Sequence, residues 1–219
     1  MFARRGGPYE RLLDIGCGVG NIALYLKEAT GAEEVYGVEI AENQVRAAWQ
    51  RGVQAVALDM NVGNVPFEDG FFDAIFCGEV IEHLVDTDHL LEEIYRTLSP
   101  QGLCVLTTPN LAAWYNRLAL LLGFQPFYTQ VSFQHPVGRL PLVGGFGAGG
   151  HLRVFTLRAL KGLVQVHRLR IVAVAGASIF DMDVPSRMPL LQRAAGPIDR
   201  LFSLWPSLSC GIIIALAKE

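Results

Sequence analysis

"LLDIGCGVG", Leu12 to Gly20, is an apolar run ending in three alternate glycines, and "NIALYLKEATG" follows with Ile22, Ala23, Leu26 and Ala29 at helical spacing before Gly31. This reads as strand, tight turn, helix, with glycines where a ligand must approach the main chain at a helix N-terminus. Such a turn points to a nucleotide-like cofactor, although glycines also serve simply to make tight turns. The GxGxxG dinucleotide fingerprint requires glycine at position 21, where this chain has Asn21. "EVYGVEI" and "QAVALDM" read as a second and third strand with "AENQVRAAWQRG" as the helix between them, so a βαβαβ alternation predicts a parallel sheet. Asp14, Glu39 and Asp59 fall at the carboxyl ends of these three strands. Glu39 is placed to accept ribose hydroxyl protons and Asp59 to face an adenine.

Further along, "AIFCGEV" is a fourth strand, "DTDHLLEEIYRTL" an amphipathic helix capped by Asp86 or Thr87, and "LCVLTTPN" a fifth strand. "LAAWYNRLALLLGF" is helical, and "QPFYTQVSFQHPVGRLPLVGGFGAGG" is a long Gly/Pro-punctuated excursion. "TLRALKGLVQV" is a helix that Thr156 caps, and "LRIVAVAGASI" and "CGIIIALAKE" supply two last strands. A helix is expected around Leu190 to Leu204. Loops this long serve as lids or binding segments. The chain is read as one domain, 1–219, with a cofactor half at about 1–110 and acceptor or lid segments at about 111–155 and 180–209.

The 219 residues are 51% hydrophobic and 18% charged, enough to bury one core. No apolar segment precedes the first strand, so a cytoplasmic protein is expected. The four cysteines, Cys17, Cys77, Cys104 and Cys210, lie far apart and form no CxxC pair, which predicts buried reduced thiols. Mean hydropathy is +0.32, yet the longest uncharged stretch, Leu118 to Gly138, is broken by Gly, Pro, Gln and His, so no transmembrane helix is expected. Residues 1–93 hold 17 acids against 6 Lys/Arg, and residues 94–219 hold 4 against 12. The second half, with no acid between Glu93 and Asp181 and arginines among aromatic residues, is expected to face an amphipathic or anionic small-molecule acceptor. A solvated basic face balancing the acidic first half is the competing reading. A pI near 6.0 and the lack of a dense basic run argue against nucleic acid. The Leu190 to Trp205 segment suits a lid, a peripheral membrane contact or a homodimer interface, so monomer and homodimer both stay open.

"CGEVIEHL", Cys77 to Leu84, places Glu79, Glu82 and His83 together after the fourth strand. This is either an acid-base or metal cluster, or the polar start of a helix. His151 follows the glycine-rich loop and can swing toward an acceptor. His135, His89 and His167 read as loop or helix-surface positions.

Taken together, these stretches resemble the class I S-adenosylmethionine-dependent methyltransferases, of a type 11/23-like kind. "LLDIGCGVG" is similar to their first motif, "VYGVEI" to the second, "ALDMNVGNVPFEDGFFD" to the third, and "AIFCGEVIEHL" with "LSPQGLCVLTTPN" to the fourth and fifth. "TTPNLAAWYNRLALLLG" and "HLRVFT" are similar to the methionine-biosynthesis-associated methyltransferase-like group. The resemblance implies an α/β, Rossmann-like fold: a seven-stranded, mostly parallel sheet with its last strand antiparallel, helices on both faces and a lid from insertions. It implies S-adenosyl-L-methionine as cofactor and S-adenosyl-L-homocysteine as product. Asp14, Gly16, Cys17 and Gly18 would lie along the methionine moiety, Glu39 and Ile40 at the ribose, and Asp59 and Met60 at the adenine, with Gly78 also beside the cofactor.

The loop after the fourth strand would then sit beside the transferable methyl group, making Glu79, His83 and His151 the acceptor-side catalytic candidates. ExxEH also resembles the metal motif of small-RNA 2'-O-methyltransferases and ubiquinone-pathway O-methyltransferases, which would make Glu79, Glu82, His83 and His151 ligands. A structural role for Glu82 and His83 is the preferred reading over a metal. Few residues precede the first strand, so the 111–150 excursion is expected to replace the N-terminal cover of related enzymes. The expected activity is methyl transfer to a small molecule. The alternatives are a non-catalytic cofactor-binding regulator, a metal-assisted O-methyltransferase on RNA or a quinone-like phenol, and an NAD-dependent oxidoreductase.

Overall fold

The computed structural model describes residues 1–2, 9–132, 134–135, 137–138, 150–178 and 189–219, with no side chains described for 189–195. Much of the expected lid, including Arg139 and the glycine run before Gly150, lies outside the described residues, as do residues 179–188 of the second expected lid segment.

The chain alternates as the sequence predicts: β1 (Arg11–Ile15), α1 (Asn21–Thr30), β2 (Glu34–Glu39), α2 (Glu42–Gln50), β3 (Gln54–Ala57), β4 (Phe72–Gly78), α3 (Thr87–Thr97), β5 (Leu98–Pro109), α4 (Trp114–Leu121), α5 (Leu157–Val166), β6 (Leu169–Ala177), α6 (Pro189–Ser203) and β7 (Gly211–Lys218). The strands form one seven-stranded sheet in the order β3-β2-β1-β4-β5-β7-β6. Strands β1 to β5 pair in parallel, and β7 runs antiparallel to both β5 and β6. The order reverses at β1/β4, so their carboxyl ends open a crevice, the usual ligand position in such sheets.

Strand alternation sends side chains to two cores. Leu13, Ile15 and Ile75 join Leu90, Leu91 and Ile94 of α3 and Leu160 and Val164 of α5 on one face. Leu12, Val35 and Ala74 join Ala23 of α1 and Val45 and Ala48 of α2 on the other. The predicted caps form: the Asp86 carboxylate accepts from His89 N, and the Thr156 hydroxyl accepts from Ala159 N.

Two of the boundaries that differ from expectation have a local cause. The third strand stops at Ala57, because past the last ladder bond, Leu58 N to Glu39 O, the Asp59 side chain accepts from Asn61 N and the Asp59 carbonyl from Gly63 N, which turns the chain. The helix after β5 starts at Trp114 rather than Leu111, because the Asn110 side chain accepts from Ala112 N and holds Leu111–Ala113 in a turn. Asn110 is fully buried, and it also ties β7 to β5: its Nδ2 donates to Ser209 O at 2.9 Å and its main-chain N to Cys210 O at 2.8 Å. At Gly176 of β6, a Cβ would stand 2.5 Å from both the Ser203 carbonyl oxygen and the Ser209 Cβ, so α6 and the turn into β7 seat against bare main chain. Gly176→Ala should therefore destabilise the fold by about 1–3 kcal/mol. Urea denaturation measures this, and an unchanged midpoint would contradict the close seating.

Candidate active site

The floor of the crevice is the β1–α1 turn. Gly16, Gly18 and Gly20 have φ of 79°, 53° and 83°, the left-handed region that glycine alone adopts freely. The amides of Gly16 and Cys17 both donate to Val38 O, at 2.8 and 3.1 Å. The Gly18 amide donates to Glu39 Oε2 at 3.0 Å, and the other oxygen of that carboxylate accepts from Ala41 N, also at 3.0 Å. Three successive N–H groups are thus spent on the end of β2. At residues 16–18 the turn encloses space with its amides paired to the end of β2.

Asp14 lies beneath this turn, 2% exposed. It accepts from the Ala23 amide, but its Oδ2 is buried with no hydrogen-bond partner. Burial, then the Glu39 charge, raises its pKa to about 7. Two acids and no spare amide at 16–18 repel a diphosphate and suit a cation.

The remaining cofactor candidates divide. Ile40 is exposed at the mouth, and Asp59 sits in the turn after β3, its Oδ1 accepting from both nitrogens of Asn61 at 2.9 Å. Met60, in contrast, is buried in the core. The Cys17 thiol also turns inward, against Gly37, where burial pushes its pKa up to about 12. Only the main chain of Cys17 borders the crevice, since the side-chain alternation read from the strand ends where the turn begins. Gly78 ends β4 with Phe76 and Thr107 in the space that a Cβ would enter, and a Cβ on Gly16 would collide with Val80. The glycine turn and the loop after β4 are therefore in contact.

That loop is the "GEVIEH" segment. Glu79 has φ 56°, an uncommon conformation for a non-glycine residue, and Ile81–His83 forms one 3-10 turn rather than the start of a helix. Glu79 Oε1 accepts from the Thr107 hydroxyl at 2.8 Å, and Glu82 Oε2 accepts from Thr108 at 3.0 Å. Glu82 is 1% exposed and its Oε1 receives no donor. Burial, then the charge of Glu79, raises its pKa to about 8, which favours the protonated form of Glu82 beside the Glu79 carboxylate. Burial also raises Glu79.

Residue 151 is brought to this turn by main-chain bonds: Glu82 O accepts from Leu152 N at 2.8 Å and Arg153 N at 3.0 Å. The His83 and His151 rings meet at 4.8 Å. His151 Nδ1 lies 3.2 Å from Tyr128 O, and a carbonyl only accepts, so Nδ1 carries the proton and Nε2 presents a lone pair. Burial, then His83, lowers the pKa of His151 and favours this neutral form. Glu79, Glu82, His83 and His151 thus converge as one cluster. His89 faces Gly63 O and His167 faces Asp88, both outside the cluster, and His135 stands in the loop after α4. The sequence reading did not single out Thr107, Thr108, Tyr115, Tyr128 or Cys210. The two tyrosine hydroxyls meet the Cys210 sulfur at 3.2 and 3.7 Å across 95 and 82 residues of chain, a pairing that no local spacing announces.

Residues 13–106 match the family described as "Methyltransferase domain". These residues, less than half of the chain, are similar to a methyltransferase domain. It is similar to a demethylmenaquinone methyltransferase from Thermus thermophilus, 36% identical over 46% of this chain and 48% of that protein. It is also similar to the ubiquinone/menaquinone biosynthesis C-methyltransferase UbiE of Desulfotalea psychrophila, 32% identical over 50% of this chain and 46% of that one. The chain spans about half the length of the curated relatives it matches. A SAM-dependent methyltransferase of Thermotoga maritima, described as a possible histamine N-methyltransferase, superposes with TM-score 0.63 at 18% identity over 99% of this chain and 86% of that one, which shows the shared fold. The matched residues of the methyltransferase domain include the glycine turn and the Glu79–His83 segment, whereas Tyr115, Tyr128, His151 and Cys210 fall beyond them.

Glu82 ionises when unfolded near the ordinary glutamate value but only at about 8 when folded, so its favourable contribution is complete at low pH and is lost as pH rises through about 8. Glu82→Gln keeps an acceptor for Thr108 and a donor toward Glu79. Its melting temperature should match the parent within about 2 °C near the ordinary glutamate pKa and exceed it by a growing margin as pH rises toward about 8. A variant that melts well below the parent at both pH values would contradict a protonated Glu82.

Proposed function

We propose that this chain transfers a methyl group from S-adenosylmethionine to a small amphipathic acceptor bearing a hydroxyl or related oxygen. The carrying observation is the partnerless Asp14 Oδ2, held beside Glu39 under a turn whose amides at 16–18 are already spent. A buried carboxylate oxygen with no donor is costly, and an ammonium group offsets that cost. Asp14 would hold the amino group of the cofactor, Glu39 the ribose, and Asp59 with Ile40 the adenine side. When bound, the cofactor supplies a methyl group on a positively charged sulfur, and the enzyme has mainly to align the acceptor with it. At the acceptor, the Glu79 carboxylate and Nε2 of neutral His151 are available to take a proton. The similarity to two quinone-pathway methyltransferases supports an apolar, oxygen-bearing acceptor, and the arginine-rich second half suits an amphipathic one. No helix among the described residues is long and apolar enough to cross a membrane. We place the reaction in the cytoplasm.

Calorimetry tests this directly. The protein should bind S-adenosylhomocysteine and not NAD. Asp14→Asn, which keeps the shape and removes the charge, should weaken binding at least about tenfold. Failure of the parent protein to bind S-adenosylhomocysteine would sink the proposal.

A second reading has its own observation. Glu82, His83 and His151 each offer a ligand atom, all within 4.8 Å of one another, a donor set of one carboxylate and two imidazoles that fits a divalent transition ion. Such an ion would displace the Glu82 proton and lower the pKa of an acceptor hydroxyl. Elemental analysis of the purified protein, with methyl transfer measured with and without chelator, separates the two readings. Full activity in chelator with no bound metal eliminates the ion.

A further inference from the structure

Around Cys210 the described side chains bring together more donors than acceptors. Tyr115 Oη donates to the Cys210 sulfur at 3.2 Å, Tyr128 Oη lies 3.7 Å from the same atom, and the two phenols are also within hydrogen-bonding reach of each other. Two O–H groups and one S–H group therefore converge, and the shared partner is a thiol sulfur, a weak acceptor. Burial raises the pKa of all three groups, so all three keep their protons at neutral pH. Among the described hydrogen bonds, the three groups have only one another as partners.

The spot is also built at some cost, and in a particular place. Tyr128 has φ 68°, the left-handed region, which a bulky aromatic residue rarely adopts. The segment is held there by Phe127 N donating to the buried Asn116 side chain at 2.7 Å and by the Tyr128 carbonyl facing His151. One residue thus presents its carbonyl to the His83–His151 pair and its hydroxyl to Cys210. Cys210 itself immediately precedes β7, beside the end of β5. The charge of Glu79 raises the pKa of both Tyr128 and Cys210, so its carboxylate lies near this group. The rings of Tyr115 and Tyr128 are only half-buried, and Tyr115 meets Phe127 edge-on at 5.3 Å, giving the spot an aromatic wall.

We propose that Tyr115 and Tyr128 are the acceptor-recognition residues: their hydroxyls leave the Cys210 sulfur and donate together to one oxygen of a hydroxyaromatic acceptor, holding that oxygen as it ionises beside Glu79. The acceptor O–H bond breaks, its proton passes to the Glu79 carboxylate, and its electron pair stays on the oxygen, where two phenolic donors meet the new charge. The aromatic wall takes the ring, and the paired donors select against a ring without a hydroxyl, because a nitro oxygen is too weak an acceptor to draw both hydroxyls from the sulfur. This inference rests on the methyltransferase reading and names the acceptor class for it.

The test uses the full chain saturated with S-adenosylhomocysteine and two probes of similar shape, 4-nitrophenol and nitrobenzene, the first of which shows its ionisation by visible absorption. The parent should bind 4-nitrophenol at least about tenfold more tightly than nitrobenzene, as expected for a site built to hydrogen-bond an oxygen. The bound phenol should ionise about one pH unit lower than the free one. Tyr115→Phe/Tyr128→Phe keeps both rings and should lose both differences while still binding S-adenosylhomocysteine as the parent does. Cys210→Ala, which removes only the sulfur, should keep both. The proposal is overturned if the parent does not discriminate between the probes, if the double variant discriminates as well as the parent, or if the phenol ionisation is the same in both. Loss of S-adenosylhomocysteine binding by the parent itself would instead defeat the underlying methyltransferase reading. Should the double variant lose S-adenosylhomocysteine binding, each single variant is measured, and undiminished discrimination in both overturns the proposal.

Discussion

The two hydrogen bonds that Glu39 accepts, from Gly18 N and Ala41 N at 3.0 Å each, constrain everything around them. They close the end of β2 onto the glycine turn and, with Val38 O, consume the amides that a phosphate-binding loop would leave free. The turn can then only enclose space over an anionic floor. Asp14 lies under that floor with one oxygen unpaired, and burial together with Glu39 keeps it poised near neutrality. Geometry common to many nucleotide-binding sheets is here given the opposite electrostatic sign.

The same turn positions the chemistry above it. Because Gly16 has no side chain, Val80 packs against it, and the loop after β4 is carried to the crevice with Glu79 in a left-handed conformation. Thr107 and Thr108 at the end of β5 each take one carboxylate of the ExxE pair, which leaves Glu82 buried as the acid and Glu79 as the better proton acceptor. The docking of residues 152 and 153 on the Glu82 carbonyl brings His151 to the same cluster. Strand ends thus fix the acidic side of the site, and the segment between β5 and α5 supplies its aromatic side.

The sheet and its floor were legible because their signals are local. Alternate glycines after an apolar run, a carboxylate at the end of each strand and period-2 or period-3.6 patterning all lie within short windows. Side-chain direction beyond a strand end was not legible: Cys17 and Met60 stand two and three residues past the end of regular strand structure, and both side chains turn into the core. The proximity of His151 to the ExxEH segment could be drawn from family resemblance, but its cause, two amides on one carbonyl, is a tertiary contact. Tyr128 was hidden further still, since its role depends on a positive φ at a non-glycine residue and on a thiol that composition alone marks as inert.

The central claim is that the floor recognises a cation through Asp14, and proton linkage tests it most directly. An ammonium group binds the ionised carboxylate, so a ligand that engages Asp14 must displace the proton held with a pKa of about 7. Titration of S-adenosylhomocysteine at about pH 6.5 in two buffers of different ionisation enthalpy should show proton release, fading above pH 8 and absent in Asp14→Asn. Equal binding enthalpies in both buffers at about pH 6.5, with affinity unchanged between pH 6 and 8, would contradict the account.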